Sequence, residues 1–174
     1  NAVGPMDYTP GAMISMQPEI YHSERPNAAG VGTRAYQLAL FVIFESGLQM
    51  LADNPTNYYR EGESTEFITN VPTTWDETIA LQNKVGEYAI VAKRKGDTWF
   101  IGGMTNGAEK ERVFELDLDF LDQGKYEMTS FRDGLNAGRQ AMDYKREITE
   151  VDQETKLTVK MVRNGGFAAV IEKN

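Results

Sequence analysis

The clearest pattern in this chain is the alternation of apolar and polar residues over its second half. Residues 114–120 alternate Phe and Leu with Glu and Asp, and residues 157–161 alternate Leu, Val and Met with Thr and Lys. A period of two places the apolar residues on one face of a strand. Short strands separated by turn-forming pairs, such as Asn106-Gly107 and Asp133-Gly134, favour an antiparallel β-sandwich. We therefore predict a mainly β fold with strands at residues 75–82, 87–95, 98–104, 112–120, 126–133, 143–151, 156–163 and 167–172.

A different pattern precedes the strands and predicts one long helix, at about residues 32–53. Thr33 can cap its start, and Pro55 disfavours helix at the residue before it. The stretch 38–44 is apolar on every face, which is typical of a helix that is buried on most sides. One β layer cannot cover all of it, so we expect an exposed helix face that makes the isolated chain associate. Residues 55–72 are predicted to be a polar connector with one short helical turn.

Composition narrows the class of protein without identifying it. The chain has 174 residues, enough for one ordinary domain or a small domain plus a fragment of another, and 41% of them are hydrophobic. A net charge of −8 disfavours nucleic acid or an anionic membrane as the main partner. The absence of cysteine excludes disulfides and thiolate metal sites. No leader peptide is visible, and the longest apolar run is too short for a membrane span.

Two linked segments carry a resemblance to a known family. GPMDYTPG stands at residues 4–11, and VPTTWDET at residues 71–78 is followed by YAIVAKRKGDTWFIGGMTN at residues 88–106. Together they resemble the C-terminal end of glycoside hydrolase family 97, a family of exo-acting α-glycosidases. The resemblance implies that residues 1–62 are the end of a catalytic (β/α)8 barrel, with its final strand and helix. Residues 63–174 would then be the C-terminal antiparallel β-sandwich domain.

The resemblance also implies what this chain does not contain. In the family, the catalytic carboxylates and the carboxylate ligands of a calcium ion lie upstream of GPMDYTPG. We therefore expect no catalytic residue and no metal ligand here, and a chain that is inactive alone. Its role would be to complete and buttress the barrel of an enzyme acting on α-linked glucosides or galactosides. The implied partners are the rest of the barrel, the oligosaccharide substrate and a second copy, in a periplasmic or secreted bacterial enzyme.

Asp7 and Tyr8 are the candidate substrate-binding residues, because they lie at the expected C-terminal end of a barrel strand, where barrel chemistry occurs. Asp7 could equally cap the following turn. Glycoside hydrolysis usually requires two carboxylates across a sugar. Asp76 and Glu77 are adjacent in a predicted strand and point to opposite faces. His22, the only histidine, makes a poor metal site by itself and is expected in a loop.

The aromatic residues leave an alternative function open, a non-catalytic carbohydrate-binding or subunit-interaction β-sandwich module. The aromatics in question are Trp75, Tyr88, Trp99, Phe100 and Tyr126. Flat rings can stack on sugars, but core packing is the commoner use in a sandwich, and we predict that Trp99 is a core residue. Gly102-Gly103 is predicted to form a β-bulge that leaves Met104 on the same face as Trp99. The basic cluster 93–95 is predicted to be a solvated hairpin end.

Overall fold

The computed structural model describes residues 4–22 and 29–174, and a six-stranded antiparallel sheet lies at its centre. The strands, in chain order, are β1 Ser15–Met16, β2 Gly30–Val31, β3 Glu77–Lys84, β4 Tyr88–Lys95, β5 Thr98–Thr105, β6 Glu111–Asp117, β7 Tyr126–Asp133, β8 Tyr144–Val151, β9 Lys156–Val162 and β10 Gly166–Lys173. The helices are α1 Arg34–Ile43, α2 Pro55–Arg60 and α3 Gly62–Asn70, with a 3-10 turn at Pro18–Ile20.

The central sheet has the strand order β3-β4-β5-β10-β7-β8, and the β6–β9 ribbon packs on one of its faces. Each neighbouring pair in both sheets is antiparallel. The two layers enclose a core of alternating strand residues that includes Ile101, Leu116, Val159 and Phe167. The mainly β class and the antiparallel sheet are thus confirmed, and β7 has the predicted bounds.

Strand β5 separates the two faces of the sheet. Trp99 and Ile101 point into the core against the β6–β9 ribbon, whereas Phe100 belongs to a second core on the opposite face. The β5 register runs without a break through Gly102-Gly103, so the predicted bulge is wrong. A Cβ atom at Gly102 would lie 2.8 Å from Val42 Cβ. Gly102 therefore serves the close approach of a helix, because a side chain there would occupy the space that α1 fills.

That helix, α1, lies across the second face of the sheet. Thr33 caps its start as predicted, since Thr33 Oγ1 accepts a hydrogen bond from Tyr36 N at 3.1 Å. It ends at Ile43, well short of the predicted residue 53. The reason is that the following segment is extended and pairs in parallel with the start of the chain, through the bridge between Tyr8 and Gln49.

The outer side of α1 is covered by the chain itself. Leu38, Phe41 and Val42 are fully buried, and their outer neighbours come from residues 9–17, α2 and α3. Met13, Tyr58, Phe67 and Ile68 share one core with α1. The predicted exposed helix face is therefore wrong, because the connector 55–72 forms two helices instead of one short turn. We call α1, α2, α3 and residues 9–17 the helical layer.

The boundary predicted between residues 62 and 63 falls at the start of α3. The division into domains 1–62 and 63–174 stays a prediction. Within the described part of the chain, no helix is long and apolar enough to cross a membrane.

Candidate functional site at the helix–sheet junction

The two candidate substrate-binding residues have different surroundings. Asp7 is exposed, whereas Tyr8 is half-buried and its ring meets Phe44 edge-on at 5.1 Å between ring centroids. The Tyr8 hydroxyl donates to the Phe44 carbonyl at 3.4 Å, and burial raises the pKa of Tyr8 to about 12. Tyr8 is thus engaged with the helix end. The assignment of Asp7 and Tyr8 to substrate binding stays a prediction.

Both residues lie on an extended segment that runs beside a second one. Met6 N donates to Glu45 O at 3.1 Å, Tyr8 and Gln49 form a parallel bridge, and Ala52 N donates to Pro10 O at 3.1 Å. Because α1 lies between the two segments in sequence, they form a strand–helix–strand crossover with parallel strands.

The loop after Tyr8 is fixed by side chains that bond to its backbone. Gly11 N donates to Gln37 Oε1 at 3.0 Å, and Tyr58 Oη donates to Gly11 O at 2.9 Å. Asp53 Oδ2 accepts from Met13 N at 2.9 Å. These bonds satisfy backbone groups that have no strand partner, which buried backbone requires.

Arg34 is a fully buried charge within the helical layer, with only 1% of its surface exposed. Its guanidinium donates to Glu61 Oε2 at 2.9 Å, to Ser64 Oγ at 3.1 Å and to the Met13 carbonyl. It also lies over the Tyr144 ring at 5.4 Å. Arg34 therefore joins α1, the loop, α3 and the sheet through one side chain.

Asp133 is the corresponding acid at the end of β7, and its side chain is partly buried. Its Oδ1 accepts from Thr33 Oγ1 at 2.6 Å, and its Oδ2 accepts from Val162 N at 2.9 Å and Gly166 N at 3.2 Å. Burial raises the pKa of Asp133 to about 6, although these donors lower it. The carboxyl group thus links the cap of α1 to the β9–β10 hairpin.

Lys93 corrects the prediction of a solvated basic cluster. Lys93 is 2% exposed, and its ammonium group bonds to Glu45 Oε1 at 3.1 Å and to Ile43 O at 3.3 Å. It also lies 5.4 Å from the centre of the Trp75 ring. Burial lowers the pKa of Lys93, and Glu45 partly opposes this. Only Arg94 and Lys95 of the cluster are solvated, because Lys93 points towards the end of α1.

Asp76 and Glu77 are each engaged with a neighbouring hairpin instead of with each other. Asp76 accepts from Gly96 N at 2.8 Å and Lys95 Nζ at 3.0 Å, and these two bonds hold its pKa below the usual value. Glu77 pairs with Arg94 at 3.0 Å. In residues 4–22 and 29–174, no group of three or more His, Cys, Asp and Glu residues is placed to hold a metal ion.

The aromatic residues proposed as alternative sugar platforms lie mostly in the core. Trp99, Phe100 and Tyr126 are at most 6% exposed, so the predicted core role of Trp99 is confirmed. Trp75 is only partly exposed and packs edge-on against Phe100 at 5.4 Å. Tyr88 is also partly exposed and packs edge-on against Phe114 at 4.9 Å between ring centroids. His22 is exposed in a loop, as expected.

An open groove of about 550 Å³ runs between α3 and the helix-side face of the sheet. Phe67, Phe100 and Phe131 lie beneath it and are buried. Its rim is charged, with Glu63, Glu66, Lys95, Glu127, Arg146 and Glu172. The groove thus combines a buried aromatic floor with charges of both signs at its rim.

Comparison with known proteins identifies the protein family of this chain. Residues 74–172, more than half of the chain, match the family described as "Glycosyl-hydrolase 97 C-terminal, oligomerisation". This chain belongs to that family. The resemblance predicted from the sequence is therefore confirmed.

Similar family 97 proteins are much longer than this chain. It is 46% identical over 169 residues to a retaining alpha-galactosidase of Bacteroides thetaiotaomicron, covering 97% of this chain and 25% of that protein. It is 35% identical over 170 residues to a probable retaining alpha-galactosidase of Streptomyces bingchenggensis, covering 98% and 24%. A family 97 enzyme of Pseudoalteromonas sp. strain K8, solved with acarbose, superimposes with a TM-score of 0.84 at 35% identity, covering 98% and 27%. The chain thus spans about a quarter of each relative's length.

Sequence reasoning missed three charges that the structure places at the helix–sheet junction, namely the buried Arg34 and Lys93 and the partly buried Asp133. Arg34 opens a helix whose other residues, apart from Gln37, are aliphatic or aromatic, and that contrast is a usable signal for a buried charge. Asp133 stands before a glycine and therefore resembles an ordinary turn residue. Lys93 lies beside two other basic residues, and only its pairing with Phe100 across the sheet places it on the helix side.

Proposed function

We propose that this chain is the C-terminal portion of a retaining glycoside hydrolase that acts on α-linked galactosides. Its own task is structural: it completes the catalytic barrel and buttresses it. The observation that carries the proposal is the 46% identity to a retaining alpha-galactosidase over 97% of the chain. A family 97 enzyme that binds acarbose aligns at lower identity, 35%, which makes α-linked glucosides the second substrate class.

The parallel crossover around α1 supports the barrel part of the proposal. Two parallel strands joined by a helix are the repeating unit of a (β/α)8 barrel. Residues 6–10 and 45–52 would be two neighbouring barrel strands, α1 the helix between them, and α2 with α3 the following helical segment. The chain would then supply two strand–helix units, one more than the single final unit expected from the sequence.

Exposed apolar side chains flank these two strands. Met6 is 51% exposed, Leu48 64% and Leu51 44%. Exposed apolar side chains beside these extended segments fit a contact with another element. The neighbouring strands and helices of the barrel would cover them in the longer protein.

The chemistry of the enzyme would come from outside this chain. The rest of the longer protein would supply the calcium site and the catalytic carboxylates, as the resemblance to family 97 implies. Asp7 would face the substrate side of the barrel, because it is exposed where the adjacent Tyr8 packs on the helix end. The enzyme would act in the periplasm or outside a bacterial cell.

The sandwich would carry a second structural task, association with another copy. The family's description names oligomerisation, and the two-layered sandwich presents its own edges and faces beyond the helical layer. We infer that the parent enzyme is a homo-oligomer held in part by this domain.

Hydrolysis of nitrophenyl α-galactoside tests the division of tasks. The longer protein is expected to release nitrophenol, and the 174-residue chain alone is expected to release none above a blank. Two carboxylates across the sugar are needed, and we expect the part of the enzyme outside this chain to supply them. Turnover by the chain alone that disappears in Asp7→Asn would contradict the proposal.

A further inference from the structure

The two edges of the central sheet differ in their freedom to pair with another strand. At one edge, β3 has an irregular register between Ala80 and Gln82. The Gln82 side chain also donates to the Glu115 carbonyl at 2.7 Å, which ties this edge to β6. Such irregularities are a common way to prevent unwanted strand pairing.

At the other edge, β8 is regular along its whole length. All eight of its residues pair in unbroken register with β7, from Tyr144 opposite Asp133 to Val151 opposite Tyr126. In the described residues, no other strand or loop forms a backbone hydrogen bond with β8. Its outer row of N–H and C=O groups is therefore open to another strand.

The side chains on the helix-side face of β8 form a self-complementary row. Arg146, Ile148 and Glu150 alternate along this face, at the positions opposite Phe131, Thr129 and Glu127. Ile148 is 52% exposed and would be available to a partner strand. Arg146 forms no ion pair within residues 4–22 and 29–174, and Glu150 forms only an exposed one, with Lys125.

We propose that β8 pairs antiparallel with β8 of a second copy, with Ile148 on the two-fold axis and Arg146 opposite the partner's Glu150. This proposal rests on the proposed role in oligomerisation and names the surface that performs it. The two central sheets would join into one continuous sheet, as in other edge-to-edge pairings. Symmetry repeats the Arg–Glu contact on each side of the axis.

The register follows from charge. A two-fold axis perpendicular to the sheet keeps each face on its own side, so one residue of β8 must face its own counterpart. Centring on Arg146 would oppose two arginines, and centring on Glu147 would oppose two glutamates. Like charges directly opposite each other are destabilising. Centring on Thr149 would place Ile148 opposite Glu150. It would also place Arg146 opposite Asp152, which lies beyond the end of β8. Centring on Ile148 opposes two apolar side chains and creates two Arg–Glu pairs within the strand.

A single strand buries less than the about 800 Å² per partner that stable complexes usually bury, so the dimer should be of moderate strength. We expect a dissociation constant on the order of tens of micromolar for the isolated chain. Sedimentation velocity over a range that spans this value should show a shift from monomer to dimer. Circular dichroism and thermal melting would establish that each variant is folded.

A charge-reversal cycle tests the register. Arg146→Glu alone and Glu150→Arg alone should each weaken the dimer at least about tenfold, because each places like charges opposite each other. The double variant Arg146→Glu/Glu150→Arg should restore the wild-type dissociation constant. Asn83→Glu, an exposed position on β3, is the matched control and should have no effect.

The outcomes separate this pairing from the broader role in oligomerisation. Loss in both single variants with recovery in the double variant supports the pairing. A wild-type dimer that none of the β8 variants weakens would overturn the β8 interface and leave oligomerisation intact. A wild-type chain that stays monomeric at several hundred micromolar would overturn both, while the buttressing role would stand.

Discussion

The β-sandwich and the helical layer are both well packed, but different interactions fix their parts. In the sandwich, apolar residues alternate along each strand and meet across two layers, as Trp99 and Leu116 do. In the helical layer, polar side chains hold irregular backbone across long sequence distances. Gln37 binds Gly11, 26 residues away, and Gln17 binds Ala137, 120 residues away. Burial thus determines the sandwich, and a set of specific hydrogen bonds determines how the helical layer lies on it.

In the sandwich, the single substitution with the largest expected loss of stability is at Trp99. Trp99→Ala should lower the free energy of unfolding by about 3–5 kcal/mol, because it opens a large cavity in the core. Urea denaturation would measure it, with the exposed Val113→Ala as the control, expected within about 0.5 kcal/mol of wild type. An unchanged stability with loss of binding to starch or galactan would instead favour the carbohydrate-binding alternative.

In the helical layer, the corresponding substitution is at Arg34, because this side chain joins several elements. Arg34→Met should lower the free energy of unfolding by about 3 kcal/mol, because Glu61, Ser64 and the Met13 carbonyl lose their charged donor. The matched control is Arg163→Met, which removes a bidentate pair with Glu19 at the surface. A surface pair contributes about 0–1 kcal/mol. Equal losses in the two variants would show that Arg34 does not organise the helical layer.

Asp133, which links the helical layer to the sandwich, makes the stability of the chain depend on pH. The folded chain keeps the Asp133 proton up to about pH 6, whereas the unfolded chain releases it near 3.8. Between these values the unfolded state binds fewer protons, so stability from this group falls as pH rises. The difference between the two pKa values corresponds to about 3 kcal/mol in the free energy of unfolding.

Asp133→Asn cannot titrate, so it isolates this contribution. The unfolding free energy of wild type minus that of Asp133→Asn should decrease between about pH 4 and pH 7, by up to about 3 kcal/mol. Urea denaturation of both proteins at several pH values measures it. A difference that stays constant or increases with pH would contradict the raised pKa.

Two adjacent tyrosines, Tyr58 and Tyr59, give a closely matched pair of variants with the smallest expected effect. Tyr58→Phe removes a hydroxyl that donates to Gly11 O and accepts from Asp53 N, and should cost about 1–2 kcal/mol. Tyr59 is 89% exposed, so Tyr59→Phe should change the melting temperature by less than a degree or so. Indistinguishable melting temperatures for the two variants would show that the Tyr58 hydroxyl does not stabilise the loop at Gly11.

The sequence predicted the sandwich well because burial with a period of two is a local property of each strand. The strand at residues 126–133 was predicted with its observed bounds. Helix α1 was predicted too long because Leu48, Met50 and Leu51 continue the apolar pattern, and the pairing that makes this segment extended lies with Tyr8, far away in sequence. Long-range partners also explain why the burial of Lys93 and Asp133 was not predicted.

We expect the helical layer and the sandwich to form one rigid unit, so that the proposed end of the barrel would be held firmly by the domain beyond it. Gly102 and Gly166 let α1 approach the sheet closely, and α1 shares a core with Phe100 and Phe131. Native-state hydrogen exchange tests this most directly. The amides of α1 and of β10 should exchange with the same free energy of opening, within about 1 kcal/mol, as expected for one cooperative unit. If α1 opens at a free energy several kcal/mol below that of β10, the helical layer unfolds by itself and cannot act as a buttress.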